Sequence, residues 1–186
     1  LYSNVAIAWV GALVADLVIN KPLGLRPQHI EFKRAHLYDI NPVGVGAMTI
    51  ATIVSISAFY GFFGPTAKAL SAFVALAAAF VTAPLIAWAT DGKYYIARKP
   101  KRSWQNLEAI QCCICEHSFE PEDMASCPAY AGPICSLCCS LDARCHDLCK
   151  PHARIGAQVS ETLGKLLPEP IYARINSQFG HYLGVF

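Results

Sequence analysis

Residues 43 to 63 and 69 to 90 contain no charged side chain, which makes uninterrupted runs of 21 and 22 residues. A helix needs about 20 predominantly apolar residues to cross the hydrocarbon core of a bilayer, so each run is long enough to span one. Residues 1 to 20 form a third such stretch, uncharged until Asp16 and rich in Val, Ala, Leu and Ile. With 54% hydrophobic and 15% charged residues, the chain departs from an ordinary soluble domain in the same direction. The sequence therefore predicts membrane helices over about 1–20, 43–63 and 69–90. The chain opens on Leu1 with neither a basic start nor a small-residue cleavage site, and it reads as a fragment of a longer protein rather than one led by a signal peptide.

Basic residues give an orientation. Lys21, Arg26, Lys33 and Arg34 follow the first span, and Lys93, Arg98, Lys99, Lys101 and Arg102 follow the third, while Lys68 alone marks the turn between the second and third. Two spans separate the basic segments, so both lie on one face, and the positive-inside bias makes that face cytoplasmic. Residues 21–41 read as a solvated basic loop with a short amphipathic piece around Ile30 to Tyr38. Small residues recur along the second helix (Gly44, Gly46, Ala47, Ala51, Ser55, Ser57, Ala58) and the third (Ala69, Ala72, Ala75, Ala77, Ala78, Ala79), where they permit close packing. Pro84 is expected to kink the third span, and Trp88, Tyr94, Tyr95 and Trp104 suit an interfacial belt. Asp16 reads as an interfacial carboxylate satisfied by the adjacent Asn20–Lys21 end, with an ion or gating role as the alternative.

All nine cysteines fall between Cys112 and Cys149. Cys112-x2-Cys115 and Cys135-x2-Cys138 have metal-ligand spacing, because a tight turn places two thiolates on one tetrahedral ion. These four are expected to form a closed zinc site. A second site would draw on Cys127, Cys145 and Cys149, with Cys139, Cys113, His117 or His146 as fourth ligand. A reducing cytoplasm favours metal over disulfides. The expected role of zinc, two ions in all, is to hold the fold, since so short a stretch buries little apolar surface. An iron-sulfur cluster or a thiol redox sensor is the alternative. Nothing marks a catalytic zinc or any other catalytic residue.

Beyond the cysteines, Ile155, Val159, Leu163 and Leu166 to Leu167 recur at helical spacing, so an amphipathic helix is expected there, ended by Pro168 and Pro170, before an apolar end at Tyr182 to Phe186. The predicted organisation is an all-α membrane part of three helices over 1–95, a linker over 96–111, a Cys-rich cytoplasmic module over 112–150 and the helix with its apolar end over 151–186. Between Cys112 and Cys149, Glu116, Glu120, Glu122, Asp123, Asp142 and Asp147 stand against Arg144 alone, a poor match to nucleic-acid phosphate.

The run from Trp9 through Val, Gly, Ala, Leu, Val and Ala to Asp16, then a basic loop, His36-Leu-Tyr38 and Ile40-Asn-Pro42, resembles the late helices of the nucleobase and cation symporter family over roughly residues 1–95. The resemblance implies a transporter-like bundle of which these are the last three spans, with the chain continuing into the cytoplasm. The block from Cys112 through Cys115-Glu-His-Ser-Phe119, Asp123-Met-Ala-Ser-Cys127-Pro and Gly132-Pro-Ile-Cys135 to Cys145 is similar to the segment that follows a transporter-like membrane part in some bacterial hybrid sensor histidine kinases. That implies a sensory input region in the bacterial inner membrane, with the lipid bilayer, the remaining transporter helices, downstream kinase domains and a small-molecule ligand as partners. A symporter with a regulatory metal-binding tail and a RING-like interaction module on a membrane anchor are the alternatives.

Overall fold

Asn41 starts the second membrane-length helix: its side chain accepts a hydrogen bond from the Val43 amide at 3.0 Å, and Pro42 supplies a first helical residue whose missing N–H costs nothing. The computed structural model describes residues 1–99, 101–104, 106–141 and 144–168. They divide into two compact units. One comprises Leu1–Phe32 with Ile40–Ala97; the other comprises Lys33–Asp39 with the chain from Arg98 onward.

The first unit is built on α1 (Tyr2–Ala15), extended by a wider π-helical turn over Asp16–Asn20, α2 (Pro42–Phe59), a short α3 (Pro65–Ala69) and α4 (Ser71–Ala89). Three helical stretches, Tyr2–Asn20, Pro42–Phe59 and Ser71–Ala89, are long and apolar enough to cross a membrane. The second ends at Phe59, before its charge-free run does, because Gly61 just past the cap residue Tyr60 takes a φ of 92°, a left-handed conformation that glycine adopts freely; Pro65 then opens α3.

Packing follows a four-residue period of small side chains. Ala8, Ala12 and Ala15 on α1, Ala47, Ala51 and Ser55 on α2, and Ala75, Ala79, Ala83 and Ala87 on α4 are buried. Gly44, Gly46, Ser57, Ala72, Ala77 and Ala78 are not, since only every fourth position stays on the inner face. A Cβ at Gly11 would lie 3.1 Å from the Ala79 Cβ, so α1 and α4 approach closely there. Asn4 ties α1 to both α2 and α4, donating to the Ser55 carbonyl at 3.3 Å and accepting from the Ser71 hydroxyl at 3.4 Å. The large apolar side chains point outward instead, among them Trp9, Leu13, Ile53, Phe73, Leu85 and Trp88. Small inside and large outside is the pattern of helices solvated by lipid or by further helices.

Asp16 is held by a network at the end of α1. Arg26 pairs with its carboxylate at 2.6 Å, Asn20 donates to it at 3.0 Å, and the Tyr95 hydroxyl donates to it as well. Arg26 and Tyr95 thus provide what Lys21 was expected to provide. Tyr95 belongs to this network, and its hydroxyl pKa is raised by burial and by the Asp16 hydrogen bond. Gly92 lets the chain after α4 pass close by: its φ is 63°, and a Cβ there would sit 2.7 Å from the Leu25 carbonyl oxygen.

The second unit is built on two antiparallel hairpins and two helices. β1 (Ile110–Gln111) pairs with β2 (Ser118–Phe119), and β3 (Met124–Cys127) pairs with β4 (Gly132–Cys135) in the register Met124 to Cys135 and Cys127 to Gly132. α5 (Ser136–Leu141) and α6 (Ile155–Leu166) follow. Its core gathers Ala35, Ile110, Cys112, Met124, Ala125, Cys127, Ile134, Cys135, Cys139 and Cys145, with Trp104 packed against it. Trp104 is therefore a core neighbour rather than a belt residue, and the stretch expected to be a linker is part of the fold.

The loop between the first two spans departs most from expectation. No amphipathic helix forms over Ile30 to Tyr38. Instead a single 3₁₀ turn at Arg34–His36 sits inside the Cys-rich unit, with Ala35 and His36 buried. Lys33 donates its ammonium to the Glu122 carbonyl, Arg34 pairs with Asp147 at 2.8 Å, and the Asp39 amide donates to the Ala153 carbonyl at 3.0 Å. Lys150, 1% exposed, donates to both the Leu37 carbonyl and the Asp39 carboxylate at 2.8 Å. α6 forms where its periodicity predicted, but Ile155 and Val159 are exposed. Pro170, Asp142 and the apolar end at Tyr182 to Phe186 lie outside the described residues.

Candidate metal centre

Cys112 and Cys115 sit in the turn that joins β1 to β2, and the left-handed Glu116 (φ 61°) closes that turn. Cys135 ends β4 and Cys138 lies in the first turn of α5. The two hairpins thereby bring four thiols to one place. Among the described residues, these four are the one group of three or more Cys, His, Asp or Glu whose ligand atoms all lie within 4.8 Å of one another. The Sγ atoms of Cys115 and Cys135 are 3.9 Å apart. A single tetrahedral zinc with 2.3 Å bonds to sulfur would set its thiolates about 3.8 Å apart. A polynuclear iron-sulfur cluster interposes several atoms and holds its thiolates farther apart, so the spacing favours one ion.

Backbone amides are aimed at the sulfurs. The N–H of Ile114 points at the Cys112 Sγ at 3.5 Å, that of Cys135 at the same atom at 3.4 Å, and that of Cys138 at the Cys135 Sγ at 3.4 Å. Such donors stabilise the anionic form that binds metal. Burial alone would raise the Cys112 thiol, yet the amides of Cys115, Cys135 and Ile114 outweigh it and bring the pKa down to about 6. Cys138 is pushed up to about 12 by burial and by its hydrogen bonds with the other thiols of the group, Cys112 charge adding to the effect. One thiolate therefore forms readily and opposes the next. A bound dication removes that opposition, so the donor set fits a zinc-like ion.

The other expected ligands fall elsewhere. Cys127, Cys139 and Cys145 are buried in the core of this unit, and Cys149 packs against it, but no three of them lie within the 4.8 Å of the first group. Cys113 is exposed. His117 is exposed with its Nδ1 2.7 Å from the Cys115 carbonyl oxygen, and His146 is exposed in a left-handed turn (φ 45°). None of the three joins the first quartet.

Sequence reasoning missed the amides of Ile114, Cys135 and Cys138 aimed at the sulfurs of this site, and, elsewhere in the unit, the Ala35 amide on Cys139 and the Arg98 guanidinium on Cys149. The one available signal was the cluster Lys33, Arg34, Arg98 and Lys150, four basic residues that equally suit a membrane face. Protein-family models, curated proteins and solved structures all return no match to the chain.

Proposed function

We propose that the chain is a transporter-like sensory input region of a bacterial signalling protein, three membrane helices joined to a zinc module that relays their state to a histidine kinase output. The observation that carries this reading is the residence of Lys33–Asp39, the connection between the first two spans, in the same compact unit as the cysteines. The chain passes between the units at 32/33, 39/40 and 97/98. A regulatory tail hung on a symporter needs only the last of these joints. A module that also encloses the α1–α2 connection registers any change that moves it, which is the physical requirement for a relay.

The same residence supports a common membrane face for the connection and the module, and the basic residues Lys21, Lys93, Lys99 and Lys101 favour the cytoplasm for it. Reduced thiols there suit zinc.

The test is transfer of labelled phosphate from ATP to a histidine of the full-length protein in membrane vesicles. Labelling that Cys135→Ser changes is the expected result. Absence of any phosphohistidine would overturn the kinase assignment.

One feature favours a second reading, an interaction module of RING-like kind. Leu137 and Leu141 on α5 and Ile114 in the first turn are exposed apolar side chains on the metal-bearing unit. On that reading, Leu137→Glu with Leu141→Glu abolishes partner capture and leaves histidine labelling unchanged.

A further inference from the structure

We infer that Cys127, Cys139, Cys145 and Cys149 hold a second tetrahedral metal ion, zinc by the chemistry of the donor set, distinct from the quartet at Cys112. The inference rests on the metal reading of the first quartet and is independent of the signalling assignment.

Cys127 ends β3, and Cys139 follows the first-quartet ligand Cys138 on α5. Successive residues on a helix point about 100° apart, so Cys138 and Cys139 face different sites. Cys145 and Cys149 bracket a turn in which His146 and Asp147 have positive φ, and the Leu148 amide closes it onto the Cys145 carbonyl at 3.1 Å. All four thiols belong to the core of this unit, three of them buried and Cys149 packed against it, although no three of their sulfurs lie within 4.8 Å of one another. The competing ligands are directed elsewhere: Cys113 and His146 outward, and His117 toward a carbonyl. Cys139 is left as the fourth ligand.

Buried cysteines also pack as small apolar residues, so a purely structural cluster has to be weighed. Two donors argue against it. The Ala35 amide donates to Cys139, and the Arg98 guanidinium donates to Cys149 while also bonding the Ser126 carbonyl at 2.7 Å. A guanidinium beside a neutral thiol gains little. Beside a tetrathiolate zinc, whose net charge is about −2, it offsets charge directly. A bound dication would draw the four sulfurs to bonding distance.

The two sites then alternate along the chain, Cys112 and Cys115 with Cys135 and Cys138 in one, Cys127 and Cys139 with Cys145 and Cys149 in the other. Each ion braces segments that the other leaves open. The second also reaches the α1–α2 connection through Ala35.

The test is metal content of the full chain in detergent micelles, with cobalt substitution as the fold control. The wild type should carry about two zinc ions, and Cys139→Ser and Cys149→Ser about one each, with the cobalt–thiolate spectrum of the remaining site retained. Cys113→Ser should keep both ions. One ion in the wild type, or two in Cys139→Ser, would overturn the second site alone; no ion in the wild type would overturn the first quartet as well.

Discussion

Lys150 and Asp39 form an ion pair at 2.8 Å although 111 residues separate them in the chain. Asp39 lies just before the second membrane-length helix, and Lys150 directly follows the last cysteine. The same carboxylate caps α6 by accepting from the Ile155 amide at 3.0 Å. One side chain thus links the connection between spans, the end of the cysteine block and the start of α6.

Asp39→Asn removes the counter-charge of a fully buried ammonium. Loss of one partner from a buried pair costs roughly 3 kcal/mol, lowered here because the carboxylate is partly exposed. Thermal unfolding of the Cys-rich unit should therefore shift down by several degrees, whereas Lys150→Met with Asp39→Asn together should recover part of the loss.

Acid should weaken the same link. Burial raises the Asp39 pKa, but the hydrogen bonds from Lys150 and the Ile155 amide outweigh it, so the folded value lies below the ordinary 3.8. A depressed carboxyl contributes stability that is complete above its unfolded pKa and is lost as pH falls through the folded one. Denaturation midpoints followed downward from pH 5 should fall below about pH 4 in the wild type and flatten in Asp39→Asn.

Cys135→Ser should release the first-site metal and unfold the module, because binding energy at a structural zinc is folding energy. Cys113→Ser, at an exposed position outside the quartet, should leave metal content and unfolding unchanged. Zinc retention after gel filtration separates the two outcomes.

Gly11→Val would drive methyl groups into Ala79 and Leu76 where a Cβ alone already comes within 3.1 Å and 3.2 Å. Overpacking of this kind costs about 1–3 kcal/mol. Unfolding in mixed micelles should show that loss, while Trp9→Leu, on the outward face of the same helix, should show almost none.

The long apolar helices were legible because absence of charge over 21 and 22 residues is a one-dimensional signal, and so was the first quartet, whose paired spacing is set by the geometry of a turn. The choice among alanines was legible only in kind, since Ala75 and Ala77 read alike until the helix is given its neighbours. The fate of residues 33–39 was not legible. Lys33 and Arg34 look the same whether they flank a membrane or bond Glu122 and Asp147, and those partners lie 89 and 113 residues away. The partners of Trp104 and Tyr95 were hidden for a related reason: an aromatic near a long apolar helix reads the same whether or not a core or a carboxylate also holds it.

Hydrogen exchange of the full protein in micelles, before and after zinc chelation, tests most directly whether the α1–α2 connection is built into the metal module. The account predicts that amides of residues 33–39 lose protection together with those of 110–139, while the helices over 43–59 and 71–89 keep theirs. Loss of protection over 110–139 with residues 33–39 unchanged would contradict it.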